Sequence, residues 1–265
     1  MGLFDSHAHY FDGRFEASAD AILRDAVFGA GIDGVINVGT NNETNRLCIV
    51  QAAGYEKMFA AVGLHPEDIY YMKRSAEEEL ADLRMLLDSP DKRKQAKIVA
   101  LGEIGLDYYD HGHPVDKDSQ KRFFDAQMEM ARELSIPVII HDREAHGDCF
   151  ETVLRYPEVR GVFHSYSGSA EMARELMKRG WLISFSGVVS FKNAARVKEV
   201  AASIPDEFLL IETDAPYLAP HPVRGRLNHS GYLVHTAAAL AEVRGTTPEH
   251  IAQVTRENVR RLFGI

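Results

Sequence analysis

Eight short apolar runs, each followed by an amphipathic helical stretch, limit what this chain can fold into more than any other feature. The runs fall near 3–6, 34–38, 59–63, 98–102, 137–141, 162–164, 181–185 and 208–212. They are apolar throughout rather than alternating, the pattern of parallel strands covered on both faces. Readable helix ends lie between them. Ser169 is placed to cap a helix over 170–179 that Gly180 stops, and Thr247-Pro248 opens the last helix. The stretch 118–134 carries Phe123, Phe124, Gln127, Met128, Met130, Ala131 and Leu134 as a stripe at helical spacing. Eight strand–helix repeats in 265 residues predict an α/β fold, a single (β/α)₈ TIM barrel spanning 1–265. A doubly wound open sheet is the alternative that the count disfavours.

Composition narrows the function. Apolar residues make up 45% of the chain, enough for a large core. No run reaches the roughly 18 consecutive apolar residues that a membrane span needs. The first ten residues lack the basic and apolar regions of a secretory signal, and although Gly2 and Ser6 match a myristoylation pattern, they lead straight into a strand. The two cysteines, Cys48 and Cys149, form no disulfide framework, and a cytoplasmic location is expected. The net charge of −9 argues against a module that grips duplex DNA by neutralising many phosphates; a nucleic acid would be held locally.

Barrel active sites sit at the C-terminal strand ends, so the residues found there are the informative ones. His7 and His9 end the first strand, His65 follows the third, and Glu103 ends the fourth. His141 and His164 end the fifth and sixth, and Asp214 follows the eighth. Residues i and i+2 on a strand share a side, so both imidazoles of His7-x-His9 can face one cation. Nitrogen with carboxylate ligands suits Mn, Zn, Ni or Co, and a carboxylate such as Glu103 can bridge two cations. Any one of these residues alone is more readily a structural histidine or a helix cap; their coincidence at one rim predicts a metal site. His111-Gly112-His113 lies beyond the fourth strand in a polar stretch and is read as a solvated loop. His146, His229, His235 and His250 lack strand-end placement, and Glu212 is read as structural.

At these residues the chain resembles the TatD family of metal-dependent deoxyribonucleases, within the amidohydrolase-like barrels. The likeness runs through Asp5-Ser6-His7-Ala8-His9, Val62-Gly63-Leu64-His65-Pro66, Gly102-Glu103-Ile104-Gly105-Leu106-Asp107, Pro137-Val138-Ile139-Ile140-His141, Val162-Phe163-His164-Ser165-Tyr166-Ser167-Gly168, Glu212-Thr213-Asp214-Ala215-Pro216-Tyr217 and Arg224-Gly225-Arg226. The resemblance implies two divalent cations, Mg or Mn in function with Zn or Ni also accommodated. His7, His9, Glu103 and Asp214 would serve one, and Glu103, His141 and His164 the other. It implies Asp214 and Glu103 as catalytic residues, His65 near the scissile phosphate and Arg224 near the substrate. It further implies 3′→5′ exonuclease action on DNA, preferably single-stranded 3′ ends, with no membrane and no obligate protein partner. One departure stands out: where family members carry Asn-Glu-Pro, this chain has Asn228-His229-Ser230.

Phosphodiester hydrolysis is therefore the leading reading, with Arg143, Lys192, Arg224 and Arg226 as bases able to meet phosphate. Hydrolysis of a small amide, ester or lactone on the same dinuclear site is the alternative. Glu103 rather than a lysine at the fourth strand end weighs against it. A non-catalytic barrel is the third reading, and the intact ligand set opposes it.

Overall fold

The computed structural model describes residues 2–265. Among them, eight strands pair in parallel in the order β1 to β8: β1 Leu3–Ala8, β2 Ile32–Val38, β3 Met58–Val62, β4 Ile98–Asp107, β5 Val138–Arg143, β6 Gly161–Phe163, β7 Leu182–Phe185 and β8 Leu209–Ile211. The sheet closes on itself just past β8, where Asp214 N–H donates to His7 C=O at 2.9 Å and His9 N–H to Ala215 C=O at 2.7 Å. The expected barrel is thus the observed one, and the open sheet is excluded.

Helices cover the outside. They are α1 Ala19–Ala21, which continues in wider turns through Ile22–Phe28, α2 Asn42–Gly54, α3 Ala76–Leu87, α4 Pro90–Gln95, α5 Lys117–Leu134, α6 His146–Leu154, α7 Ala170–Met177, α8 Ala195–Ser203, α9 Leu233–Arg244 and α10 Pro248–Phe263. Their ends follow local chemistry. Ser169 accepts from Met172 N–H and Thr247 from His250 N–H, as read from the sequence. Asp116 caps α5 by accepting from Ser119 N–H, and Ser135 ends that helix with φ +50°. The α5 stripe buries Phe123, Phe124, Gln127, Met128, Met130 and Ala131. Cys48 and Cys149 are both buried and free.

The core has two layers. One cluster takes an apolar side chain from each strand: Phe4, Ile36, Ala61, Ala100, Ile139, Val162, Leu182 and Leu210. Only the barrel interior brings together one residue from every strand, so these residues fix the inward phase. Phe263 of α10 packs beneath them. Alternate residues such as Leu3, Val35, Leu101, Ile140 and Phe163 belong to the outer cluster with the helices.

The period of two then places the site. His141 is two residues beyond inward Ile139, His164 two beyond Val162, and Glu212 two beyond Leu210. His7 and Glu103 are out of phase with Phe4 and Ala100, so simple alternation alone does not turn them inward. The register between β1 and β2 shifts between Asp5 and Ala8, and that between β4 and β5 shifts between Leu101 and Ile104. Such irregularities re-aim side chains beside active sites. β4 also runs five residues past the expected end at 102, pairing Asp107 with Arg143. Gly105 allows that extension: its φ is +141°, and a Cβ there would stand 2.0 Å from His141 C=O.

Candidate metal centre

At the C-terminal mouth of the barrel lies a cavity of about 630 Å³, with His9, His65, Glu103, His141, His164 and Asp214 among its lining residues. Two groups of ligand-type atoms meet there around the two oxygens of Glu103. On one side, His7 Nε2 and His9 Nε2 approach to 3.0 Å, with Glu103 Oε2 at 3.4 and 3.7 Å and Asp214 Oδ1 at 3.9 and 3.4 Å. On the other, Glu103 Oε1 stands 2.6 Å from both His141 Nδ1 and His164 Nε2, which are 3.2 Å apart. The six residues read as ligands, scattered from position 7 to position 214, are thus brought together.

The backs of the rings decide which nitrogen faces inward with a free lone pair. His9 Nδ1–H donates to Val38 C=O at 2.7 Å, which leaves Nε2 bare. His164 Nδ1–H donates to Glu212 at 3.1 Å, leaving its Nε2 bare, and His141 Nε2–H donates to Asp107 at 3.0 Å, leaving its Nδ1 bare. Carboxylates and carbonyls behind histidines are the usual means of presenting imidazole to a metal. His7 lacks this brace, since its buried Nδ1 has no partner among the described residues.

His65 is wired the opposite way. Its Nδ1 accepts from Glu67 N–H at 3.1 Å, so the proton of a neutral ring sits on Nε2, which faces Glu103 Oε1 at 3.7 Å. His65, Glu103 and His141 lie close enough to share an ion. The Glu67 amide nevertheless makes His65 a donor into the cavity rather than a ligand. Burial, reinforced by the neighbouring His141 ring, pushes the His65 pKa down to about 3, so the ring is neutral.

The electrostatics favour positive charge at the centre. Burial opposes the charged form of Glu103, yet the rings of His164, His65, His7 and His141 hold its carboxyl well below the usual range. Burial likewise lowers His141, but Glu103 and Asp107 outweigh it and raise the ring to about 9, so the proton its inward Nδ1 shares with Glu103 is the one a cation would displace. Buried carboxylates facing imidazole nitrogens across a displaceable proton are a chemically suited cage for divalent cations.

Three positioning residues escaped the sequence reading. Asp107 and Glu212 hold His141 and His164, so Glu212 is more than the structural acid expected. Asp5, fully buried, accepts from Thr213 N–H at 2.9 Å and from its hydroxyl at 2.5 Å, pinning the segment that leads to Asp214. Asp214 itself has φ +55°, a left-handed conformation that aspartate tolerates better than most residues. The only signal for Asp107 and Glu212 was their place in the same strand-end runs as Glu103 and Asp214.

Other expectations shift. His111 is not freely solvated: Nε2 is 3.1 Å from Asp107 and Nδ1 3.5 Å from Glu67, while His113 stacks on Tyr70 at 4.0 Å. Partners at the end of β4 and in the segment after β3 fix the geometry that a polar stretch alone does not. Of the four bases, Arg143 lines the cavity, whereas Arg224 stacks on Phe191 at 4.5 Å and is not among the lining residues, nor are Lys192 and Arg226. Arg14, not singled out from sequence, does line it. At the Asn228-His229-Ser230 departure, Asn228 donates to the Thr213 and Tyr217 carbonyls at 2.9 and 2.6 Å. Ser230 N–H donates to the Tyr10 hydroxyl at 2.9 Å, a bond proline cannot make. His146 and His250 pair with Asp142 and Asp206, and His229 and His235 lie against Tyr232.

Fold and site together define a metal-dependent hydrolase barrel. Residues 4–264 match the model of the TatD related DNase family, and the chain belongs to that family. It is 39% identical over 266 residues to the uncharacterized metal-dependent hydrolase YabD of Bacillus subtilis, covering 99% of each chain. It is 32% identical over 271 residues to the 3′-5′ ssDNA/RNA exonuclease TatD of Escherichia fergusonii, again covering 99% of each. The crystal structure of YjjV, a TatD homologue from Escherichia coli, superposes with a TM-score of 0.89 at 29% identity, covering 99% of this chain and 98% of that one.

Proposed function

We propose that this chain hydrolyses phosphodiester bonds in nucleic acid, as a 3′→5′ exonuclease that prefers single-stranded DNA and uses two divalent cations. The observation that carries the reading is the placement of one carboxylate, Glu103, between two sets of inward-facing imidazole nitrogens. His7, His9 and Asp214 would hold one cation with Glu103, and His141 and His164 the other. Mg or Mn suits the function, and Zn or Ni fits the same donors. Cations so held would supply Lewis acidity at the phosphoryl oxygen and a water ionised near neutral pH.

The chain's own groups do the rest. Burial pushes the Asp214 carboxyl up, but the hydrogen bond from His9 and the surrounding rings outweigh it and keep it ionised. Asp214 is therefore able to accept the proton of the attacking water. His65 offers Nε2–H to a phosphoryl oxygen. Arg143 meets a neighbouring phosphate at the cavity wall, while Arg224, away from that wall, reaches only a longer substrate. The name carried by the Escherichia fergusonii relative supports nucleic acid over a small ester or amide.

The test is degradation of a 3′-labelled single-stranded oligonucleotide with Mg²⁺, Mn²⁺ or EDTA, for wild type and Asp214→Asn. Metal-dependent loss from the 3′ end, reduced about 10²- to 10⁴-fold in the variant, is expected. An intact oligonucleotide in metal-loaded wild type would sink the reading in favour of a small-molecule hydrolase.

A further inference from the structure

We infer that a single-stranded polynucleotide crosses the cavity mouth along one diameter of the barrel, gripped at each pole by an arginine–tyrosine pair, Arg143 with Tyr109 and Arg14 with Tyr217. This rests on the nuclease reading above and adds where the strand lies.

The exposed large aromatic side chains among the described residues are Tyr70, Tyr71, Tyr109 and Tyr217, at 52, 60, 40 and 41% exposure. All four stand on C-terminal rim loops: Tyr70 and Tyr71 follow β3, Tyr109 follows β4 and Tyr217 follows β8. Aromatic surface left in water on one rim marks a place where something docks. The Arg143 guanidinium carbon lies 3.8 Å from the Tyr109 ring centre, and that of Arg14 lies 3.9 Å from Tyr217. Both arginines and Tyr217 line the cavity. With strands in sequential order around an eight-stranded barrel, the β4–β5 edge lies across from the β8–β1 seam. The two pairs therefore face each other over the proposed ligands.

The poles differ. Arg143 makes no ion pair among the described residues. Arg14 Nε is 3.1 Å from Asp12, to which the Tyr217 hydroxyl also donates at 3.1 Å. The Arg14 pole is thus a braced stacking surface with compensated charge, and the Arg143 pole offers free charge to a phosphate. From Tyr109 a row of rings continues outward, through His111 at 5.1 Å and His113 at 6.0 Å to Tyr70 at 4.0 Å.

A base stacked on an aromatic face contributes about 1–3 kcal/mol whatever its identity. That mode suits a chain of net charge −9, which cannot rely on phosphate neutralisation. It also selects the ligand class, because bases inside a duplex already stack on their neighbours and leave no free face.

The test is fluorescence anisotropy of a labelled phosphorothioate oligothymidylate with Mn²⁺-loaded protein. Tyr109→Ala and Tyr217→Ala should each weaken binding about 5- to 100-fold. Tyr109→Phe, which keeps the ring, should bind as wild type, and an abasic strand of equal length should not distinguish wild type from the alanine variants. Unchanged oligothymidylate binding by the alanine variants, or an equal loss of the abasic strand, overturns the clamp. Cleavage of an ordinary oligothymidylate by wild type, measured separately, divides the failures. Cleavage with indifferent alanine variants removes the clamp and leaves the nuclease reading standing. If wild type neither binds nor cleaves, both fall, and the exposed tyrosines are left to a protein partner.

Discussion

Each imidazole around Glu103 has two nitrogens, and the acceptor behind the ring decides which of them the site receives. Asp107→Asn and Glu212→Gln keep size and polarity but let the amide turn its NH₂ group toward the histidine. Each is expected to lower metal affinity about 10- to 100-fold, read by titration calorimetry with Mn²⁺. Unaltered affinity in both would mean that packing alone sets the rings. The six residues of the proposed centre were legible in the sequence because strand ends in a barrel point to one rim. Asp107 and Glu212 were not, because an orienting acid is defined by what stands behind the ring, and His141 and His164 lie 34 and 48 residues away along the chain. The contrast between His65 and the other rings was equally hidden, since it turns on a single backbone amide.

Among the elements, the strands were found because burial on both faces leaves unbroken apolar runs, and the helices because their caps and stripes are local. What the pattern omitted were the register shifts in β1 and β4, which depend on how neighbouring strands meet. α5 gives a local test. The Ser119 backbone hydrogen bond at its N-terminus holds the Asp116 carboxyl below its ordinary value of 3.8. The folded pKa is thus the lower one, so this contribution is present above about pH 3.8 and is lost as pH falls through the folded value. Asp116→Ala should cost about 1 kcal/mol at neutral pH by urea denaturation. Asp116→Asn should retain most of the cap while flattening part of the acid limb. An acid limb identical to wild type in Asp116→Asn would show that the cap carries no ionic share.

For the molecule as a whole, a ligand that binds only the folded state stabilises it by mass action. Mn²⁺ at one hundred times its dissociation constant should add about 2.7 kcal/mol, which calorimetry reads as a melting point several degrees higher. EDTA should reverse the gain, and the His7→Ala, His9→Ala double variant should lose the share owed to the cation those two rings would hold. A full rise in that variant would place the bound metal elsewhere. No helix among the described residues is long and apolar enough to cross a membrane. The seam between β8 and β1 has a kinetic corollary. Asp214 bonds to His7 across it, so residues from the two ends of the fold meet at the centre itself. A nascent chain therefore holds no complete cage until its last strand has docked on its first. At the proposed centre, complete ion capture would then wait for the end of folding.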